Sequence, residues 1–503
     1  MSRVLAVLAL AVLAAPALAG CVAPDPGPVG GLDPTGLPAN EALPYLDIAE
    51  GHDHADLASH DAGWNLDVVA WSLYGHDPQA PGRYNQVHLA GDLALVSAYA
   101  IPPSNKPGLI VVNLSDPLAP LVVGTWVSEF TTTIDVHATK DGRYVALAGH
   151  RHATVNPPPG VAPGCTSVPL PGRAPVLCPP FVPAGVTLLD LAEPAKPKKV
   201  AEWVSAPSGA HTVKLHEIGN KVYAFIASYG LSYVDRMASA VEIVQFDSGF
   251  PGGFRPVTRL FPSESSGGRV FVHDIFVQRH PATDQTILYV AYWDGGVLVA
   301  DVSDPSKPRE LAAWKDFDVA EYGNIHFVQP MPGLVDGRHY TVAAPEYASA
   351  QHAGESYVLD TTDPAKPKLL AKWHLPGNPL NPEGYLHSPH NFDLTADGKL
   401  VMGHYHAGVW VLDLNPVFRA AGGNATAEAE GANATAEPRV LAYRFPVPPN
   451  GTNVTVSDYA PHVWNAQWRH DGLVVASDVI TGLYVMRLAD VADDAVAPYA
   501  AHV

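Results

Sequence analysis

The chain reads as short apolar runs cut apart by turn residues. Runs rich in Val, Leu, Ala and Tyr recur along most of its length, and no long segment holds a 3.6-residue period. Gly and Pro, 43 and 49 of 503 residues, stand between the runs. That pattern predicts strands and tight turns rather than helices.

The runs are copies of one another. Val111-Val112-Asn113-Leu114-Ser115-Asp116-Pro117-Leu118-Ala119-Pro120 returns as Leu188-Leu189-Asp190-Leu191-Ala192-Glu193-Pro194-Ala195-Lys196-Pro197. Val299-Ala300-Asp301-Val302-Ser303-Asp304-Pro305-Ser306-Lys307-Pro308 and Val358-Leu359-Asp360-Thr361-Thr362-Asp363-Pro364-Ala365-Lys366-Pro367 follow. Each copy is a strand that ends in an acidic-Pro turn: the carboxylate bonds backbone two residues on, and Pro presets φ. A Trp closes the next strand six residues past the second Pro, at Trp126, Trp203, Trp314 and Trp373, and degenerate copies end near Phe261 and Tyr443.

A seventh outer strand stands before the first repeat, where Leu66-Asp67-Val68-Val69-Ala70-Trp71 matches Glu310-Leu311-Ala312-Ala313-Trp314. At the other end Gly482-Leu483-Tyr484-Val485-Met486 matches a third strand with no successor. An excess of one strand at the start and a deficit of one at the end predict an all-β, seven-bladed β-propeller over 64–490. Its N-terminal strand completes the last blade and removes the sheet edge.

The repeat resembles the LVIVP-repeat family of bacterial and archaeal surface lipoproteins, most clearly in Gly295-Gly296-Val297-Leu298-Val299-Ala300-Asp301-Val302-Ser303-Asp304-Pro305-Ser306-Lys307-Pro308. The resemblance implies a propeller and a surface binding or interaction module that meets a protein or glycan, and it implies no single activity.

The first strand of each blade adds chemistry. Aligned on the turn that follows, these strands place His at one register in five consecutive blades: His211, His273, His326, His390 and His462. Asn85 and Ile134 hold that register in the first two. With 23 His in 503 residues, seven positions would hold less than one by chance. First strands line a propeller's channel, so the five are expected at one mouth. The loops joining second and third strands add His150, His152, Trp293, Asp294, Glu346, His404 and His406 there. Converging imidazoles suit a transition metal, copper above all, then zinc or iron. The competing reading is structural, each His bonding the backbone of a neighbouring blade. A further set, His88, His137 and His216, lies at odd offsets along the same strands and is read as blade packing. The one-His-per-blade pattern is distantly similar to the selenium-binding protein or methanethiol oxidase propellers, and to nitrous-oxide reductase. That likeness implies a metal site, and with it a copper-dependent oxidoreductase as the alternative function, without naming a reaction.

The N-terminus concerns location. Arg3, an apolar run from Val4 to Ala19 and then Gly20-Cys21 read as a signal peptide over 1–20 ending at a lipobox, with lipid on Cys21. An ordinary signal peptide with a chance Cys is the other reading. Residues 21–63 then form the lipidated Cys and a Pro/Gly-rich tether, with 491–503 as a tail. His52, His54 and His60 fall in the tether and read as a solvated segment. The protein is thus expected outside the cytoplasm, held to the membrane by lipid, and a monomer. Cys165 and Cys178 share one Pro-rich insertion, where a disulfide or a thiolate pair are the two readings. Sequons at Asn424, Asn433, Asn450 and Asn453 mark a low-complexity, glycosylation-prone stretch, and Asn113 carries another. A net charge of -20 argues against binding nucleic acid, which needs basic patches.

Overall fold

The computed structural model describes residues 62–75, 84–98, 108–127, 132–150, 184–205, 209–228, 239–263, 271–318, 324–346, 354–376, 387–422, 436–449 and 462–489. The signal peptide, Cys21, nearly all of the tether, Cys165, Cys178, the four clustered sequons, His152 and the tail lie outside them. Among the described residues no helix is long and apolar enough to cross a membrane.

Seven antiparallel sheets form the fold. Blade 1 is β3 (Tyr84–Ala90), β4 (Leu93–Ala98), β5 (Leu109–Asn113) and β6 (Leu121–Trp126). Blade 2 is β7 (Thr132–Ala138), β8 (Tyr144–His150), β9 (Gly185–Asp190) and β10 (Lys198–Val204). Blade 3 is β11 (Ala210–Ile218), β12 (Lys221–Ser228), β13 (Val241–Phe246) and β14 (Phe254–Leu260). Blade 4 is β15 (Asp274–Arg279), β16 (Thr286–Ala291), β17 (Val297–Asp301) and β18 (Arg309–Trp314). Blade 5 is β19 (Asn324–Pro330), β20 (Tyr340–Glu346), β21 (Ser356–Asp360) and β22 (Lys368–Trp373). Blade 6 is β23 (Phe392–Leu394), β24 (Lys399–Gly403), β25 (Val409–Asp413) and β26 (Arg439–Phe445). Blade 7 is β27 (Val463–Trp468), β28 (Val474–Asp478) and β29 (Gly482–Leu488), completed by β2 (Leu66–Ser72).

The closure expected from the sequence is therefore present: β2 pairs antiparallel with β29, from Leu66↔Leu488 to Ser72↔Leu483. Trp71 adds an indole hydrogen bond to Thr481 O at 2.7 Å. Two features were not foreseen. A fifth strand, β1 (Ala62–Trp64), covers the outer edge of β26, and a helix, α1 (Asn415–Gly422), interrupts blade 6 between its third and fourth strands. Both add to blade 6 outside the repeat, so repeat counting could not place them.

The apolar residues divide into seven clusters, one between each pair of neighbouring blades. Val, Ile and Leu on the two faces of each sheet pack against the next sheet around the ring. Each first strand touches the first strand of the next blade, and β27 touches β3, so the ring is closed.

The first strands leave inward backbone edges without a partner strand, and side chains from the preceding blade satisfy them. Asp135 accepts from Val213 N at 2.9 Å, Asp393 from Trp468 N at 3.0 Å, and Gln467 from Leu89 N at 2.9 Å. His137 joins this work, its Nδ1 accepting from Leu215 N at 3.2 Å with the His88 ring 4.4 Å away.

Candidate metal centre at the channel mouth

Local backbone geometry aims the mouth residues. The first strands of blades 2, 3, 5 and 7 each carry a β-bulge, and the extra residue is Ile134, His211, His326 and Trp464 in turn. A bulge leaves one residue outside the ladder and re-aims its side chain. His273 and His390 stand just ahead of β15 and β23, where their N–H groups bond Ala291 O and Gly403 O, each at 2.9 Å.

Four of the five register-matched histidines come together. Ring centroids run 4.1 Å from His211 to His273, 4.3 Å on to His326 and 4.1 Å on to His390. With Ile134 and Trp464 they border a small cavity of about 10 Å³. The fifth, His462, stands apart. The bulge of blade 7 falls at Trp464, two residues further on, so Trp464 takes the ring position and meets His390 at 4.4 Å. His462 instead packs against His406 at 4.7 Å and Tyr405 at 4.8 Å. His404 is fully buried, its ring 6.2 Å from that of Trp373, away from the cavity lining.

The two readings of the ring turn out to describe different atoms of one side chain. His273 Nδ1 lies 3.2 Å from His326 O, and His390 Nδ1 lies 2.7 Å from Trp464 O. Each donates there, as a structural histidine would. A neutral imidazole that donates from Nδ1 keeps its lone pair on Nε2.

The structure adds a ligand candidate that the register argument placed at the mouth without a role. Glu346 ends β20, and its Oε2 lies 3.8 Å from His273 Nε2 and 3.7 Å from His326 Nε2. Their ligand atoms all lie within 4.8 Å of one another, and no other trio of His, Cys, Asp or Glu among the described residues does so. Donors that each sit about 2.0–2.2 Å from one ion can be up to roughly 4 Å apart, so both carboxylate–imidazole spacings admit a shared ion. Tyr405 donates to Glu346 Oε1 at 2.6 Å. His326 Nδ1 is buried with no hydrogen-bond partner.

Electrostatics favour neutral donors. Burial drives His211 and His326 well below the usual imidazole value, with neighbouring imidazoles adding to the effect. Burial also pushes His390 down to about 3. These rings are uncharged at neutral pH, the state that binds metal. Burial raises the Glu346 carboxyl, and the Tyr405 hydrogen bond opposes it.

A polar layer borders the same cavity. Lys214 Nζ sits 3.0 Å from Asp135 and 3.6 Å from Asp274, all three buried. Burial pushes Asp274 up to about 7, against the pull of Lys214. Sequence reasoning missed this triad because its residues lie on three different blades.

Fold and site together define a seven-bladed, all-β propeller with a histidine-lined mouth. Among known families, the LVIVD repeat matches residues 287–315, within blade 4 and its exit. The matching repeat family is thus LVIVD, where the sequence pattern resembles LVIVP. No curated protein matches the sequence. Similar solved structures include U3-55K, at 10% identity and a TM-score of 0.48 over 84% of this chain and 98% of that one. The β-propeller domain of Cps50 (Swd1) from Myceliophteria thermophila shows 12% identity and a TM-score of 0.47, over 81% of this chain and 96% of that one.

Proposed function

We propose that this propeller binds a transition metal at its channel mouth, with His273, His326 and Glu346 as the ligands. The observation that carries this is the approach of one carboxylate oxygen to two Nε2 atoms, one of them on a ring whose Nδ1 is already engaged. Two imidazoles and one carboxylate form the donor set of mononuclear zinc and non-haem iron sites. The neighbouring rings of His211 and His390 add nitrogen donors, which favour copper. Open positions would face the side of the ring at Asn85, Ile134 and Trp464, the three ring positions that supply no imidazole. A redox metal there would make the protein an oxidoreductase.

A second reading rests on the propeller fold and its LVIVD repeat. It is an extracytoplasmic interaction module, monomeric, tethered by lipid on Cys21, that presents its loops to a surface protein or glycan. The Nδ1–carbonyl bonds favour it, since they give the ring histidines work without a metal.

Elemental analysis and calorimetric titration of the purified soluble domain with copper, zinc and iron(II) separate the two. The metal reading expects one equivalent bound, lost in the double variant His326→Ala/Glu346→Gln and retained in His404→Ala. A wild-type protein that binds none of the three metals leaves the interaction module as the function.

A further inference from the structure

Four blades end their third strand on an aspartate that does two things. Oδ1 accepts a backbone N–H two residues on, at 2.8 Å for Asp190, 3.0 Å for Asp301, 2.9 Å for Asp360 and 2.9 Å for Asp413. Oδ2 pairs with an arginine: Arg143, Arg309, Arg338 and Arg439, at 2.9 to 3.2 Å. The residue directly across on the outer strand is basic each time: Lys198, Arg309, Lys368 and Arg439.

Blade 1 departs at both positions of this pair. Asn113 replaces the aspartate, and Leu121 stands across from it. Asn113 Oδ1 still makes the turn, accepting from Ser115 N at 2.8 Å and Ser115 Oγ at 2.7 Å. Its Nδ2 stands where the other blades hold the ion-paired oxygen, with no acceptor among the described residues. Asn113 is half-buried, Ser115 and Asp116 are exposed, and beside them Leu118 and Leu121 are 55% and 61% exposed. The other sequons lie outside the described residues. This one is an ordered turn whose hydroxyl residue is bonded to the asparagine that would be modified.

We infer that Asn113 is an N-glycosylation site, and that the exchange of a charged pair for Asn and Leu adapts this turn to carry a sugar. The co-substrate class is a lipid-linked oligosaccharide. A bond forms between Asn113 Nδ2 and the anomeric carbon, and Nδ2 gives up one proton. The anomeric C–O bond to the donor's phosphate breaks, and the phosphate leaves with the electron pair. No arginine is displaced, because none is paired there. The apolar face of the first sugar has Leu121 to cover. The inference rests on the extracytoplasmic reading, since such donors are used outside the cytoplasm.

The test is peptide mass spectrometry of the full-length protein recovered from its own cells, with protease accessibility on intact cells measured alongside. The expected result is a glycan mass on the peptide spanning Asn113. It should be lost in Asn113→Asp and in Ser115→Ala, both with unchanged melting temperature. A bare Asn113 overturns the inference, whether or not the clustered sequons carry sugar. A chain that external protease cannot reach overturns the extracytoplasmic reading as well. The double variant Asn113→Asp/Leu121→Arg should rebuild the ion pair of the other blades and carry no sugar.

Discussion

Tyr405 reaches from blade 6 to Glu346 of blade 5, its hydroxyl donating to Oε1 at 2.6 Å. The tyrosine is buried and sits at φ 42°, a left-handed conformation that a bulky residue rarely adopts. A two-bond bridge to Val463 of blade 7 holds it there, both bonds 3.1 Å. Trp293 repeats the device in blade 4, with φ 50°, a matching bridge to Ile325 and its ring stacked 4.8 Å from His273. Three blades thus fix one carboxylate, the kind of outer support that metal ligands usually receive.

Removing that support tests it. Tyr405→Phe deletes the hydroxyl and keeps the ring against His390, 4.6 Å away. Metal affinity should fall about 10–100-fold, with the melting temperature of the metal-free protein nearly unchanged. Equal metal affinity in the two proteins would show that Glu346 needs no anchor.

Acid should destabilise the fold in steps that neutral histidines set. Burial pushes His339 down to about 4, with His280 adding to it, and burial pushes His404 down to about 3. Both values are depressed, so between the folded value and about 6.5 the unfolded chain holds the extra protons. Stability is then complete above about pH 6.5 and is lost as pH falls. Each of the two costs about 2 kcal/mol by pH 5. Asp274 acts in the opposite sense, since a carboxyl raised to about 7 weakens the fold as pH rises from about 4. Melting curves at pH 7.5 and 5.0 should show the loss, smaller in His404→Leu. A flat profile would contradict the buried, neutral state of these rings.

Gly296 marks where a third strand begins beside its outer strand. At φ 81° a Cβ would stand 2.0 Å from Trp314 O, a backbone atom that cannot yield without moving β18. Gly296→Ala should cost about 2–4 kcal/mol by chemical denaturation. Gly333→Ala, whose Cβ meets nothing within 4 Å, should stay within about 0.5 kcal/mol of wild type.

Ring closure has its own test. Deleting residues 66–72 exposes the edge of β29 and removes Leu66 and Trp71 from the last two apolar clusters. That variant should lose cooperative unfolding, whereas deleting 22–44 should leave the melting temperature in place. Equal melting temperatures would mean that β2 does not close the ring.

The sequence by itself determined the architecture, because each repeat writes its own turn. Asp304 Oδ1 does accept from Ser306 N at 3.0 Å, and Asp363 Oδ1 from Ala365 N at 3.0 Å, as the acidic-Pro pattern requires. Strand periodicity and the unmatched strands at the two ends are local properties, legible without coordinates. The register of the mouth was legible in the strands that carry Ile134, His211, His273, His326 and His390. In blade 7 the ring position is Trp464, eight residues before Gly472 as His211 is before Gly219 and His390 before Gly398, so His462 stands two residues out of that register. Tertiary structure alone decided that His404 is buried near Trp373 while Glu346 faces two imidazoles. These contacts join residues on different blades, and their spacing depends on how seven sheets pack around one axis.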